Sequence, residues 1–331
     1  MAQYTIYDIA KLVGVSASTV SRVITNKPNV KKATRARVLQ VIEKCHYVPN
    51  QTARGLVTQS SRLIGILIAD VRMPHHADGV YYIERELIKH GYCCLILNTG
   101  TDTAEQAQYI QMLSQRKVDA AVLMGSIYQT DMVRGAIKSY LPNTPVILCN
   151  GYLDLPNTYG LMADEQAGVE DCVQLLHRKG RRHPAFVLDR RTPSNMAKQA
   201  GFISGVKRYM ADVEPVLSQT DGSWQNAYST TIALLEAHPE LDGIIYSDDL
   251  LASAGMRALL EKQISVPARM AVIGINNSYY AENTIPALTS LDNMLYDLSL
   301  MVARNIRIIL SGQHVNKRIM ICAEIVERKT T

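Results

Sequence analysis

IYDIAKLVGVSASTVSRVITN, residues 6–26, is written in two helical halves around one glycine. Ile6, Ile9, Ala10 and Val13 recur at helical spacing and form one apolar face. Gly14 breaks the run, and Val15-Ser16 leads into a second helix with Ser16 at its N-cap. Val20, Val23 and Ile24 give that helix its apolar face, while Ala17, Ser18, Ser21 and Arg22 point elsewhere. Two short helices around a glycine-containing turn read as helix-turn-helix. The second helix of such a motif lies in the DNA major groove with its N-terminal residues at base edges. The pattern alone leaves an ordinary helical hairpin open.

The residues that follow close that alternative. The chain carries D-I-A, G-V-S, T-V-S-R-V, T-R-x-R-V, Y-x-P-N and A-R-x-L between Asp8 and Leu56. In these motifs and their spacing it closely resembles the DNA-binding headpiece and hinge of the lactose-repressor (LacI/GalR) family of bacterial transcription regulators. The resemblance covers the whole chain, with its most specific motifs in the first 60 residues. It implies an all-α headpiece over 1–47, a hinge over 48–61 and an effector-binding core over 62–331. Implied DNA contacts are Thr5 and Tyr7 at the first helix and Ser16, Ala17, Ser18, Thr19, Ser21 and Arg22 on the second. Asn29, Lys31, Thr34 and Tyr47 follow around the third helix, then Asn50, Ala53, Arg54 and Leu56 in the hinge. By the same resemblance the hinge helix forms only on operator DNA, capped by Asn50, with Leu56 wedged into the minor groove. Gly55 lowers the intrinsic helicity of that segment by about 1 kcal/mol relative to Ala, which suits a helix that needs a partner.

The third headpiece helix is expected from about Ala33 to Cys45, packed through Val38, Leu39 and Ile42. Lys31, Lys32, Arg35 and Arg37 fall on its outer side or at its start, where they can meet phosphates; such contacts set register without reading sequence. Lys31 stands where the family usually has a Ser cap. Residues 1–60 hold nine Lys/Arg and two Asp/Glu, a net of +7, so the rest of the +5 chain is mildly acidic at −2. A basic module on an acidic body is the electrostatic footprint of nucleic-acid binding.

Hydrophobic residues make up 47% of the 331, which calls for packed domains rather than disorder. The six cysteines contain no CxxC, and Cys93, Cys94, Cys149 and Cys322 sit in strand-like runs, so buried free thiols in a reducing compartment are expected. Asp8 and Lys11 interrupt the only N-terminal apolar stretch, so it does not read as a signal peptide, and no run reaches membrane-spanning length. A cytoplasmic protein is the expectation.

From Leu63 the rhythm changes. LIGILIAD, YCCLILNT, AAVLMG and PVILCN alternate with helical stretches, the signature of βαβ units on a parallel sheet. It restarts after about Gly160 with PAFVLD, EPVLSQ, GIIYSD and MAVIGIN. Two doubly wound parallel-sheet subdomains of periplasmic-binding-protein type follow, with a ligand cleft at the strand carboxyl ends. By resemblance both are discontinuous, about 62–160 with 290–320 and about 161–289 with 321–331.

There is no GxGxxG after the first strand, no Walker A loop and no GxSxG elbow, so an enzyme is not expected. His75-His76-x-Asp78 is the one metal-like cluster; adjacent histidines on such a loop more often line a polar pocket, and neither metal nor cofactor is expected. Asp248-Asp249 is not read as a catalytic pair, because successive side chains on an extended segment diverge.

The resemblance maps the effector cleft onto Asp70, His75, His76, Asn98, Ser126, Asn150, Asp164, Asn195, Lys198, Asp248 and Asn276. Each could instead be a turn or helix cap. The chain departs from the family at four places: Met73-Pro74-His75-His76 for N-P-F-F, Lys198 for an arginine, Asp248 for an asparagine, and Asn276 for an aspartate. Lysine gives up the planar fork that grips a diol. A neutral or amino-bearing sugar is the expected effector, with a carboxylate- or phosphate-bearing one beside Lys198 and Arg190 or Arg191 as the alternative. The expected protein is a homodimeric repressor on a pseudo-palindromic operator, a tetramer being disfavoured because no leucine heptad follows Arg328. A solute receptor with the same two-lobed core, but a signal peptide and no headpiece, is the runner-up.

Overall fold

The computed structural model describes residues 4–47 and 60–331. The chain divides into two compact units, 1–61 and 62–331. Asn50, Ala53, Arg54, Gly55 and Leu56 lie outside the described residues.

In the first unit, α1 (Ile6–Val13) begins at a capping box: Asp8 N–H donates to Thr5 Oγ1, and Thr5 N–H donates to Asp8 Oδ2 at 2.8 Å. It ends at Gly14, whose φ of +73° is open to glycine at little cost. Ser16 caps α2 (Ala17–Ile24) by accepting from Thr19 N–H. The third helix, α3 (Lys32–Lys44), starts at Lys31 with no side-chain cap, the consequence of the missing serine. Ile9, Val13, Val20, Val23 and Val38 close a small core, with Ile42 partly buried against it. Leu39 does not join it: it is 49% exposed, one position off the buried stripe.

Arg35 and Arg37 also bond within the unit. Arg35 donates to the Lys27 carbonyl at 2.7 Å and to Asn26 Oδ1 at 2.8 Å, and Arg37 donates to the Val13 carbonyl. Arg37 satisfies the last carbonyl of α1 and Arg35 one in the loop after α2, so both hold the unit together.

The second unit contains two six-stranded sheets. The N-lobe sheet runs β11-β5-β4-β3-β1-β2, all parallel. Its strands are β1 (Leu63–Ile68), β2 (Cys93–Asn98), β3 (Ala120–Met124), β4 (Val146–Cys149), β5 (Thr158–Asp164) and β11 (Arg318–Cys322). The C-lobe sheet runs β12-β10-β9-β8-β6-β7, parallel except where β12 meets β10. Its strands are β6 (Pro184–Leu188), β7 (Val216–Gln219), β8 (Gly243–Tyr246), β9 (Ala271–Ile275), β10 (Thr289–Asp292) and β12 (Glu324–Val326). Central strands such as β3, β6 and β9 are buried along their whole length, as sheets covered on both faces require.

Helices fill both faces. The N-lobe has α4 (Pro74–Ile88), α5 (Thr103–Gln115) and α6 (Asp131–Tyr140); the C-lobe has α7 (Glu165–Arg178), α8 (Pro193–Tyr209), α9 (Trp224–Ala237), α10 (Asp249–Glu261) and the short α11 (Tyr279–Asn283). The helix α12 (Leu295–Leu310) returns to pack on the N-lobe core. Helices α7 and α8 approach closely because Gly201 has no Cβ; one there would sit 2.1 Å from the Gln166 carbonyl oxygen. The chain crosses between lobes after Asp164, after Asp292 and after Cys322, each a few residues beyond the expected 160, 290 and 320.

The thiols are less buried than expected. Cys149 and Cys172 are buried, but Cys93 and Cys322 are exposed, because β2 and β11 are edge strands. Among the described residues no helix is long and apolar enough to cross a membrane.

Candidate functional site: a recognition helix and an interlobe cleft

On the first unit, Val20 and Val23 turn α2 inward and leave Ser18, Ser21 and Arg22 exposed. Arg22 lies in the last turn of the helix. Ala17 is half-buried against the core, a narrower outward presentation than expected. Thr5 and Ser16 spend their hydroxyls on caps, and Thr19 Oγ1 lies 2.9 Å from Ser16 Oγ. Tyr7 is 74% exposed beside them. Asn29 is exposed with a left-handed φ of +75°, Thr34 is half-buried, and the Tyr47 ring packs on the headpiece core. The outward set Tyr7, Ser18, Ser21, Arg22 and Lys31 mixes donors, acceptors and cations, as a DNA-facing surface needs.

On the second unit, strand order reverses between β1 and β3 in one sheet and between β6 and β8 in the other. Ligands bind at such switch points, outside the carboxyl ends of the strands. Both open onto one cavity of about 140 Å³. The N-lobe wall carries Asp70, His75, His76, Ser126 and Asn150; the C-lobe wall carries Asp189, Arg190, Asn195, Lys198, Ser247 and Asp248. Glu165, Asn276 and Asn293 complete it beside the crossovers.

Lys198 is the buried centre of this site. Its Nζ donates to the Ser247 carbonyl at 3.1 Å and lies 3.4 Å from Glu165 Oε1, with the side chain 6% exposed. Glu165 also accepts from Ser194 Oγ at 2.5 Å and from Asn150 Nδ2 at 3.3 Å. The Ser194 N–H donates across the cleft to Ser126 Oγ at 3.0 Å. One carboxylate at the first crossover thus ties both lobes to the lysine.

A second chain of bonds reaches the next crossover. Asp248 accepts from Leu250 N–H at 2.7 Å and from Asn276 Nδ2 at 2.6 Å, and Asn293 Nδ2 donates to Asn276 Oδ1 at 2.8 Å. Burial raises the Asp248 pKa. Asp249 diverges from it into a pocket of its own, accepting from Ser290 Oγ at 2.6 Å and Ser278 N–H at 2.6 Å. Burial and the neighbouring Asp248 push the Asp249 pKa up to about 7. Burial takes the His75 imidazole down to about 3 and lowers His76, whose Nδ1 lies 3.0 Å from the Asp70 carbonyl oxygen. His75 is therefore neutral at pH 7. Asp70 is held down to about 2 by the Arg72 guanidinium beside it.

Two expected effector residues are elsewhere. Asn98 ends the edge strand β2, away from the switch point, and accepts from Val71 N–H at 2.9 Å. Asp164 caps α7 by accepting from Ala167 N–H at 3.1 Å. Its neighbour Glu165 takes the cleft position. Sequence reasoning also passed over Asp189, Ser247 and Asn293, although Asp189 closes the quoted strand PAFVLD at the switch point and that position was the available signal. Lys198 is no solvated surface residue, and its charge is already matched by Glu165. That removes the main reason to expect an anionic effector. Among the described residues no group of three or more His, Cys, Asp or Glu could hold a metal.

Residues 5–50 match the family model described as bacterial regulatory proteins, lacI family, and residues 173–331 match that of the periplasmic binding protein-like domain. An HTH-type transcriptional regulator of Lachnoclostridium phytofermentans is 29% identical over 98% of this chain and 99% of its own length. The ribose operon repressor of Halalkalibacterium halodurans is 28% identical over 91% of this chain and 88% of its own. Among solved structures, the Lac repressor dimer bound to operator and the anti-inducer ONPF aligns with a TM-score of 0.89, 21% identity and 99% of each chain covered. The capped α2 with its outward Ser18, Ser21 and Arg22, the facing switch points and these matches have one common explanation: the chain belongs to the lacI family of bacterial regulatory proteins.

Proposed function

We propose that this regulator binds a pseudo-palindromic double-stranded operator as a homodimer and represses transcription, with its affinity set by a monosaccharide-sized effector in the interlobe cleft. The family consists of DNA-binding regulators and not of enzymes. The observation that carries the reading is α2, a capped helix that buries Val20 and Val23 and turns Ser18, Ser21 and Arg22 outward on a basic unit. A cytoplasmic site of action follows from that role.

The cleft supports the effector half. Its volume of about 140 Å³ is close to the roughly 150 Å³ of a protein cavity that takes benzene, so it suits one six-membered ring rather than a disaccharide. Many of the side chains that line it carry hydrogen-bonding groups, as recognition of hydroxyls demands. The ribose operon repressor is one relative named for a monosaccharide.

Arg22→Ala tests base reading. An arginine on a guanine edge contributes discrimination, so the variant is expected to lose about 1–3 kcal/mol on operator DNA and to relax one position per half-site. Gel-shift titration on operator and random duplexes checks it, and an equal loss on both would reduce Arg22 to a phosphate contact.

For the homodimer, the N-lobe presents Tyr81 and Ile88 on one face of α4, 59% and 52% exposed, beside Ile96 of the edge strand β2. We place a second copy there, because an exposed apolar set at a sheet edge marks an association surface. Ile88→Asp is expected to shift the protein from dimer to monomer in sedimentation velocity at micromolar concentration. A variant that stays dimeric would move the interface elsewhere.

A further inference from the structure

The C-lobe wall of the cleft is unbalanced in charge and in hydrogen-bonding sense. β6, β8, β9 and β10 are consecutive neighbours in the sheet, and their carboxyl ends present Asp189, Asp248, Asn276 and Asn293 as a row. Asp189 and Asp248 follow adjacent strands and interact electrostatically. Among the described residues that line the cavity two are cations, and Lys198 acts on Asp248 as well as on Glu165. Lys198 is bound to the Ser247 carbonyl and to Glu165, and Arg190 sits exposed at the rim. Counting Glu165 with Lys198 and one carboxylate with Arg190 leaves one acid without a counter-charge.

Unpartnered atoms point to a ligand at the same place. Ser247, 2% exposed, and Asn293, 1% exposed, both line the cavity, and Ser247 Oγ and Asn293 Oδ1 have no partner among the described residues. Asn293 Oδ1 can only accept, since its amide nitrogen already donates to Asn276. Buried polar atoms left unpaired are costly, so Asn293 Oδ1 calls for a donor from the ligand, and the Ser247 hydroxyl can serve either sense.

We propose that the effector is a monosaccharide-sized polyol carrying a protonated primary amine, and that the ammonium binds on the Asp189–Asp248 side of the cleft. This rests on the reading of the cleft as an effector site. An ammonium supplies three donors and one positive charge, which match the acceptor row and the unbalanced carboxylate together. A neutral hydroxyl supplies one donor and no charge. An anionic sugar would add to the acidic excess, because the lysine is already paired.

The test uses the full-length protein with D-glucosamine, D-galactosamine and D-mannosamine, each beside its parent hexose and its N-acetyl derivative. N-acetylation keeps the nitrogen and removes the charge. Calorimetric titration is expected to show at least one amine binding at least about tenfold tighter than both of its controls. Asp248→Asn and Asp189→Asn should each reduce that advantage severalfold while the variants keep their cooperative melting. Two variants are used because either substitution alone could disturb the cleft. Equal or tighter binding of the neutral hexoses overturns the amine proposal and leaves the sugar-effector reading standing. Failure of every amine and every neutral sugar to bind overturns both.

Discussion

Lys198→Met is expected to destabilise the 62–331 unit by about 3–5 kcal/mol, the usual cost of removing one partner of a buried ion pair. The ammonium is nearly enclosed, donates to the Ser247 carbonyl and faces Glu165 at 3.4 Å. Methionine fills much of the same volume, so the loss is electrostatic rather than a cavity. Glu165 would keep its bonds from Asn150 and Ser194 but would lose its one ion-pair partner among the described residues. Pairing the change with Glu165→Gln should recover most of the stability, since the stranded charge is then gone. Urea unfolding of the single and double variants measures this. A single variant within about 0.5 kcal/mol of wild type is what a surface lysine would give, and would contradict the buried assignment. The single variant should also lose any effector response, because the lysine, Ser194 and Asn150 meet on one carboxylate that spans the lobes.

Ile9→Ala is expected to unfold the headpiece and leave the core intact. Ile9 is fully buried at the centre of the three-helix cluster with Val13, Val20, Val23 and Val38. Truncating a buried isoleucine to alanine costs about 2–5 kcal/mol. A unit of this size buries a smaller fraction of its surface than a large domain does and has only a few kcal/mol to lose. Operator binding should therefore fall by more than about a hundredfold. The main melting transition, which belongs to residues 62–331, should not move. Gel shift and scanning calorimetry on the same preparation read the two units separately. Operator binding at wild-type affinity would mean that the helix-turn-helix is not held by this core.

The helix-turn-helix was legible because its signals are local. The spacing of Ile6, Ile9, Ala10 and Val13, the glycine at 14 and the serine cap at 16 act within one or two helical turns, and each is where the structure has it. A charge count does not show that Arg35 and Arg37 also donate to carbonyls of their own unit, because those bonds depend on how the three helices pack. The parallel strands were legible from their apolar runs, but their order was not. Asn98 and Asp189 both end strands; only sheet order puts one on an edge strand and the other at the switch point. Glu165 and Asn293 escaped for a related reason. Each matters because it stands where the chain crosses between lobes, and a crossover is a property of the whole fold.

On the proposed function, α2 of each subunit of a dimer reads one half of a symmetric DNA site. Selection of random duplexes by the full-length protein, followed by sequencing, tests it most directly. One inverted repeat with two equivalent half-sites should be enriched, and Arg22→Ala should lose preference at the same base in both half-sites. Enrichment of no motif, or of an asymmetric one that Arg22→Ala leaves unchanged, would contradict it.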